Sequence, residues 1–236
     1  MFKLCPTKYL VGIVAWLTAM VGLAITFANR VILDGAGLTI GIGLTVSVVQ
    51  VLIALVLVSP LWRKFWKWWP QLNNWIYPDL NGEWDVELTS NWPRIDALLK
   101  TANGELPQLD FRQGNPSLLP AMGSYKMKAE ITQSWSTFEI QLWNPGQIGP
   151  IKESRTLLVE PFRKNEGRRH GLAYIFEQRN DTEEIGDNDA FCGAAWIELD
   201  RNDPKVLCGK MWTNRMWERG MNTAAKLTFR RAMKKK

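Results

Sequence analysis

Four short clusters combine indole, guanidinium, hydroxyl and amide groups: Thr89-Ser90-Asn91-Trp92, Gln133-Ser134-Trp135-Ser136, Ser154-Arg155 and Trp212-Thr213-Asn214-Arg215. This is the chemistry of nucleotide recognition. Indole faces stack on bases, Arg neutralises phosphate through a fork of donors, and Ser, Thr, Asn and Gln read base edges and ribose hydroxyls. The same residue types also serve as plain turn and core residues, and composition alone does not separate the two readings.

Bond-making chemistry is scarce. His170, the single histidine, follows Arg168 and Arg169 at an expected turn into a strand, with no Ser or Cys motif beside it to make it a general base. Asp181, Glu183, Glu184, Asp187 and Asp189 surround Gly186. Their spacing is not that of an EF-hand loop and no helix pair flanks them, so a solvated hairpin tip is the simplest reading. There is no Walker sequence, no G-x-G-x-x-G and no G-x-S-x-G. Cys5, Cys192 and Cys208 are far apart and form no C-x-x-C pair, which argues against a disulfide framework or a zinc site. No catalytic residue and no metal ligand is assigned, and no enzymatic activity is expected.

The clusters fall at the ends of expected strands. Residues 82–89 alternate strictly, with Trp84, Val86 and Leu88 on one face and acidic or polar residues on the other. The same alternation runs through Tyr125, Met127, Ala129 and Ile131, through Phe138, Ile140 and Leu142, and through Ala225, Leu227 and Phe229. Less clear strands are expected over 155–160, 171–179, 191–199 and 206–213. Turn-forming groups separate them at Asn144-Pro145-Gly146, Asn165-Glu166-Gly167, Asn202-Asp203-Pro204 and Arg219-Gly220. About eight short strands with hairpin-length links predict a closed up-and-down barrel, which leaves no exposed sheet edge.

In such a barrel the ends of odd strands and the starts of even strands share a rim. That groups the Thr89, Ser154 and Trp212 clusters. The Gln133 cluster falls at the opposite rim unless its side chains point down the axis. Residues 91–123 hold Pro93, Pro107, Pro116 and Pro120 and a possible short helix over 94–100. This stretch is either a cover for a barrel mouth or a plain surface excursion.

Ahead of the barrel stand two uncharged apolar runs, residues 9–28 and 38–58. Each has the roughly 20 residues a helix needs to cross a hydrocarbon core. The first is longer than the apolar core of a cleavable signal and is soon followed by the second, which argues for a retained span. The short link turns the chain back, so an antiparallel hairpin is expected. Lys3 and Lys8 flank its start and Arg63, Lys64 and Lys67 its end, which places both termini and the barrel in the cytoplasm. Gly37 and Gly41, continued by Thr45, and Gln50 farther along suit close helix packing, within one chain or between chains. Residues 61–75 carry five tryptophans among Arg and Lys, as an interfacial collar would. The expected domains are therefore a hairpin over 1–60, a linker over 61–78 and a barrel over 79–236. The net charge of +6 sits largely beside the membrane and in the tail ending at Lys234, Lys235 and Lys236. This fits anionic lipid better than a DNA or RNA duplex.

Two N-terminal spans followed by Leu80-Asn81-Gly82-Glu83-Trp84, Thr89-Ser90-Asn91-Trp92, Ile131-Thr132-Gln133-Ser134-Trp135 and Gly209-x-x-Trp212-Thr213-Asn214-Arg215 resemble a known group. It is the SMODS-associated membrane effectors of bacterial CBASS anti-phage systems, with two transmembrane helices and a β-strand-rich domain. The resemblance implies an eight-stranded, lipocalin-like barrel that binds a cyclic oligonucleotide, first of all a cyclic dinucleotide, made by a partner CD-NTase. It implies no other cofactor. Binding would drive homo-oligomerisation in the inner membrane and its disruption, ending in abortive infection. Carried over by position, the ligand set is Thr89, Ser90, Asn91, Trp92, Gln133, Trp135, Ser136, Arg155, Trp212, Thr213 and Arg215, with Arg155 and Arg215 on phosphate. Tyr174 is a weaker member, because residues 173–180 are poorer in Tyr than the family strand. The competing function is a tethered carrier of a lipid or small hydrophobic ligand.

Overall fold

Ala, Leu and Val dominate the first apolar run, and it folds as α1 (Thr7–Ala28), continued by one π-helical segment at Asn29–Leu33. The structure, a computed structural model, describes residues 4, 7–33, 42–58, 60–146, 151–164, 169–181 and 187–232. Lys3, Cys5, Gly37, Gly41, residues 165–168, Glu183, Glu184, Gly186 and the terminal lysines lie outside them. Lys8–Val31 is apolar and long enough to cross a membrane, whereas the second apolar run gives α2 (Ile42–Val58), whose apolar stretch Gly43–Leu55 is shorter. At about 1.5 Å per residue the 17 residues of α2 reach some 25 Å, the short end of a crossing length. The hydroxyls of Thr18, Thr26 and Ser47 each donate to the carbonyl four residues back, at 2.8, 2.8 and 3.2 Å, so these three groups are paired within their own helices. Thr45 and Val49 of α2 are buried, and Thr45 lies opposite Gly22 of α1. Gln50 is exposed.

The contacts divide the chain into two units, residues 1–79 with 134–137, and residues 80–133 with 138–236. In the first, α3 (Leu61–Trp68) is followed by the single turn α4 (Leu72–Trp75). The rings of the tryptophan-rich segment divide into two sets. Trp62 and Trp66, one turn apart, are buried and meet edge to face at 5.3 Å, while Trp68, Trp69 and Trp75 stay exposed. The Trp66 indole donates to the Tyr77 carbonyl at 2.7 Å and meets Trp135 edge to face at 5.7 Å. Arg63 pairs with Asp79 at 2.9 Å.

The second unit is the closed antiparallel barrel: β1 (Gly82–Ser90), β2 (Gly123–Gln133), β3 (Phe138–Trp143), β4 (Ile151–Lys164), β5 (Arg169–Asn180), β6 (Ala190–Leu199), β7 (Val206–Thr213) and β8 (Ala224–Arg231). Each strand pairs with its neighbours in sequence, and β1 closes on β8 with Trp84 opposite Arg231 and Ser90 opposite Ala225. The alternation does the sorting. Trp84, Val86, Leu88, Ile131, Ile140, Leu172, Ile197, Leu227 and Phe229 fill the interior, while Asp85 faces Lys128 and Glu87 faces Lys126 on the outer wall. α5 (Trp92–Ala102) leaves β1 directly, with Pro93 in its first turn, where a missing N–H does no harm. Gly209 marks a close approach of β6 to β7: a Cβ there would overlap the Trp196 carbonyl oxygen and stand 2.7 Å from the Ile197 Cα.

Candidate functional site

Strand direction gives the barrel two distinct mouths. The front mouth holds the ends of β1, β3, β5 and β7, and the back mouth holds the β2–β3, β4–β5 and β6–β7 links together with the start of β1 and the end of β8. The expected ligand set is split between them.

At the front mouth the structure gathers Ser90, Asn91, Trp92, Thr213 and Arg215. The Ser90 hydroxyl points inward and accepts from the Trp92 N–H at 3.2 Å. Asn91 stitches β1 to β8, donating its backbone N–H to the Ala224 carbonyl at 3.0 Å and accepting the Ala224 N–H on Oδ1 at 2.9 Å. Thr213 shares a 2.5 Å hydroxyl hydrogen bond with Thr223. Arg215 is 7% exposed, its guanidinium 4.3 Å from the centre of the Trp92 ring and 5.8 Å from that of Phe191. Both oxygens of Asp187 receive it in a forked pair, Nε to Oδ1 at 2.8 Å and the second through a terminal nitrogen. A planar cation between aromatic rings, held by a two-oxygen anion, is the geometry by which Arg binds a phosphate.

The inward faces of β4 and β5 add residues that sequence reasoning missed. Gln178 and Asn180 are both buried, with Gln178 Nε2 donating to Asn180 Oδ1 at 2.8 Å, and the Asn180 amide nitrogen has no hydrogen-bond partner among the described residues. Their signal was present, since they continue the inward phase set by Tyr174 and Phe176. Ser154 is buried beside them. Asp187 carried only the reading of a hairpin tip, yet its side chain is 2% exposed.

The remaining members lie elsewhere. β4 starts at Ile151, so Arg155 lies inside the strand; Ser154 turns inward and Arg155 outward, where it stands opposite Glu177 and 3.9 Å from Glu153. Trp212 is 51% exposed on the outer wall, and Thr89 is half-buried opposite Ser124 and Lys226. Tyr174 belongs to the core, 5.9 Å from Phe176, and burial pushes its phenol well above the usual range. Gln133, Trp135 and Ser136 sit at the back mouth. Gln133 is a clamp there: Oε1 accepts the Leu80 N–H at 2.7 Å, and its backbone exchanges hydrogen bonds with the Asn81 side chain at 2.8 and 3.1 Å. Gln133→Ala strands the buried Leu80 N–H and is expected to lower stability by about 1–3 kcal/mol, measured by chemical denaturation, without changing affinity for any ligand of the front mouth.

Between the mouths the barrel is full. The cavity bounded by Leu88, Leu142, Ser154, Tyr174, Gln178 and their neighbours measures about 10 Å³, room for a single water. A lipid needs hundreds of Å³, so this packing offers a carrier no chamber. His170 is buried on the inner face of β5, and the described residues contain no cluster of acidic, His and Cys side chains able to hold a metal ion.

No family model matches the chain. A relative does. The chain is 24% identical to CD-NTase-associated protein 15 of Escherichia albertii over 225 residues, which cover 95% of this chain and 94% of that protein. At that length the alignment takes in most of the apolar helices and most of the barrel. The similarity supports a CBASS association for this chain and a link to the products of a CD-NTase.

Proposed function

We propose that this chain is a non-enzymatic CBASS effector that spans the bacterial inner membrane twice, keeps both termini and the barrel in the cytoplasm, and senses a cyclic dinucleotide made by a CD-NTase. The observation that carries the reading is the alignment with CD-NTase-associated protein 15 along nearly the whole of both chains, apolar helices and barrel together. Arg215 is the phosphate partner in this reading, already flattened against Trp92, with Asp187 holding the place a phosphate would take. Ser90, Thr213, Gln178 and Asn180 supply the base- and ribose-reading groups. Ligand binding exchanges Asp187 for phosphate and favours an assembled state by its higher affinity for it. The exposed Gln50 on an otherwise apolar helix supports assembly, since an amide in lipid gains by pairing with a neighbouring chain. Disruption of the inner membrane and abortive infection follow from that assembly.

The test uses the full chain in lipid vesicles loaded with a self-quenched dye. Adding members of a cyclic dinucleotide panel should release dye for at least one of them, and calorimetry on the same protein in nanodiscs should register its binding. Leakage and heat should both vanish in Thr213→Val. If no member of the panel gives heat, the sensor reading fails. Heat without leakage would remove the effector half alone.

A further inference from the structure

Charges on the outer wall of the barrel are paired across strands with few exceptions. Asp85 faces Lys128 and Arg230, Glu87 faces Lys126, Glu153 faces Arg179 and Arg155 faces Glu177. Three like-charged pairs break the pattern: Glu83 opposite Glu130 between β1 and β2, and two neighbouring pairs of cations. Lys164 of β4 stands opposite Arg169 of β5, and Lys210 of β7 stands opposite Lys226 of β8. Like charges directly opposite each other on adjacent strands are destabilising.

The first cation pair has its anion. Glu198 of β6 takes Lys164 on one carboxylate oxygen and Arg169, at 3.6 Å, on the other. The second has none: among the described residues no ion pair reaches Lys210 or Lys226, and both are exposed. Glu87, one place along the same face of β1 from Thr89, the register partner of Lys226, is already opposite Lys126 and accepts from Ser124 at 3.2 Å. Between the two cation pairs lies Trp196, directly opposite Lys210 and 45% exposed. Its indole N–H donates to Glu198 at 2.8 Å and Lys164 sits 5.0 Å over its ring, so the ring is fixed in orientation with area to spare. Together these side chains line an open groove of about 530 Å³.

We propose that Lys210 and Lys226, with Trp196 as an adjoining platform, form a binding site for a net-anionic phosphodiester on the outer wall, separate from the front mouth. One phosphodiester oxygen pair is met by two ammonium groups, and the group esterified to it rests on the indole. A phosphodiester of this kind is carried both by an anionic phospholipid headgroup and by a cyclic dinucleotide. The repulsion between the two lysines is then the cost of holding a site open for an anion that the fold does not supply.

The test uses the full chain in phosphatidylcholine nanodiscs at low salt, titrated separately with a soluble cyclic dinucleotide and with dihexanoyl phosphatidylglycerol below its micelle concentration. At least one probe should bind the unaltered protein, and Lys210→Gln/Lys226→Gln should weaken that binding by about tenfold or more. Which probe is affected identifies the source of the phosphodiester. Without a probe, the same double variant should melt at an equal or higher temperature, because it removes a repulsion; a structural role for the lysines would lower it, and a lower melting temperature overturns the proposal. So does failure of both probes to bind, or unchanged affinity in the double variant. Dinucleotide binding that survives Lys210→Gln/Lys226→Gln and is lost in Thr213→Val, with phosphatidylglycerol unbound or bound equally by the double variant, would overturn this site while leaving the sensing function intact.

Discussion

Arg215→Ala should destabilise the barrel by about 3–5 kcal/mol and remove the proposed response to a cyclic dinucleotide. The Asp187 side chain is 2% exposed, and the substitution leaves its carboxylate buried without the guanidinium that donates to both of its oxygens. Trp92 and Phe191 lose the planar cation that fills the space between them. The paired variant Arg215→Ala/Asp187→Ala should recover much of that stability, since no uncompensated charge remains, and should still fail to bind ligand. Urea denaturation of the two single variants and the double variant completes a thermodynamic cycle. A single-variant loss below about 1 kcal/mol would show that water already reaches the pair and that it is of the weak, exposed kind.

Trp84→Ala has a comparable effect from the opposite end of the barrel. Trp84 is fully buried, its indole N–H donates to the Leu80 carbonyl at 3.0 Å, and the Arg231 guanidinium lies 4.9 Å over its ring. Truncation to Ala empties the interior where β1 meets β8, and should cost about 3–5 kcal/mol. Trp212→Ala is the matched control. That ring is half exposed on the outer wall, and its removal should change stability by no more than about 0.5 kcal/mol. Equal losses in the two variants would mean that the alternation of β1 does not define the core.

Inside and outside were legible wherever the period of two ran unbroken. Strands β1, β2, β3 and β8 declare their inward faces in the sequence, and the number of strands and their up-and-down order follow from the turns between them. β4 did not declare itself. It begins four residues before the expected 155–160, and a register shift between Thr156 and Leu158 breaks the alternation, so Arg155 looked like a rim residue while it belongs to the outer wall. The Gln133 cluster was assigned to the opposite rim by strand direction alone, and lies there. Asp187 was not legible as a site residue, because its place depends on a partner 28 residues away in the sequence. An acidic loop residue reads as solvated until the fold shows Arg215 beneath it.

The seam between β1 and β8 also imposes an order on synthesis. Glu83 and Ala232, joined by a 3.0 Å backbone hydrogen bond, stand some 150 residues apart in the chain, and such non-local pairings form late. Strand β8 leaves the ribosome after the seven other strands, and α1 ahead of all of them. A nascent chain therefore presents its apolar helices long before the barrel can shut, and any product ending ahead of Ala224 keeps β1 and β7 as open edges ready to pair with other strands. Strand β8 is thus the point at which the open edges of β1 and β7 disappear and the barrel becomes a closed surface.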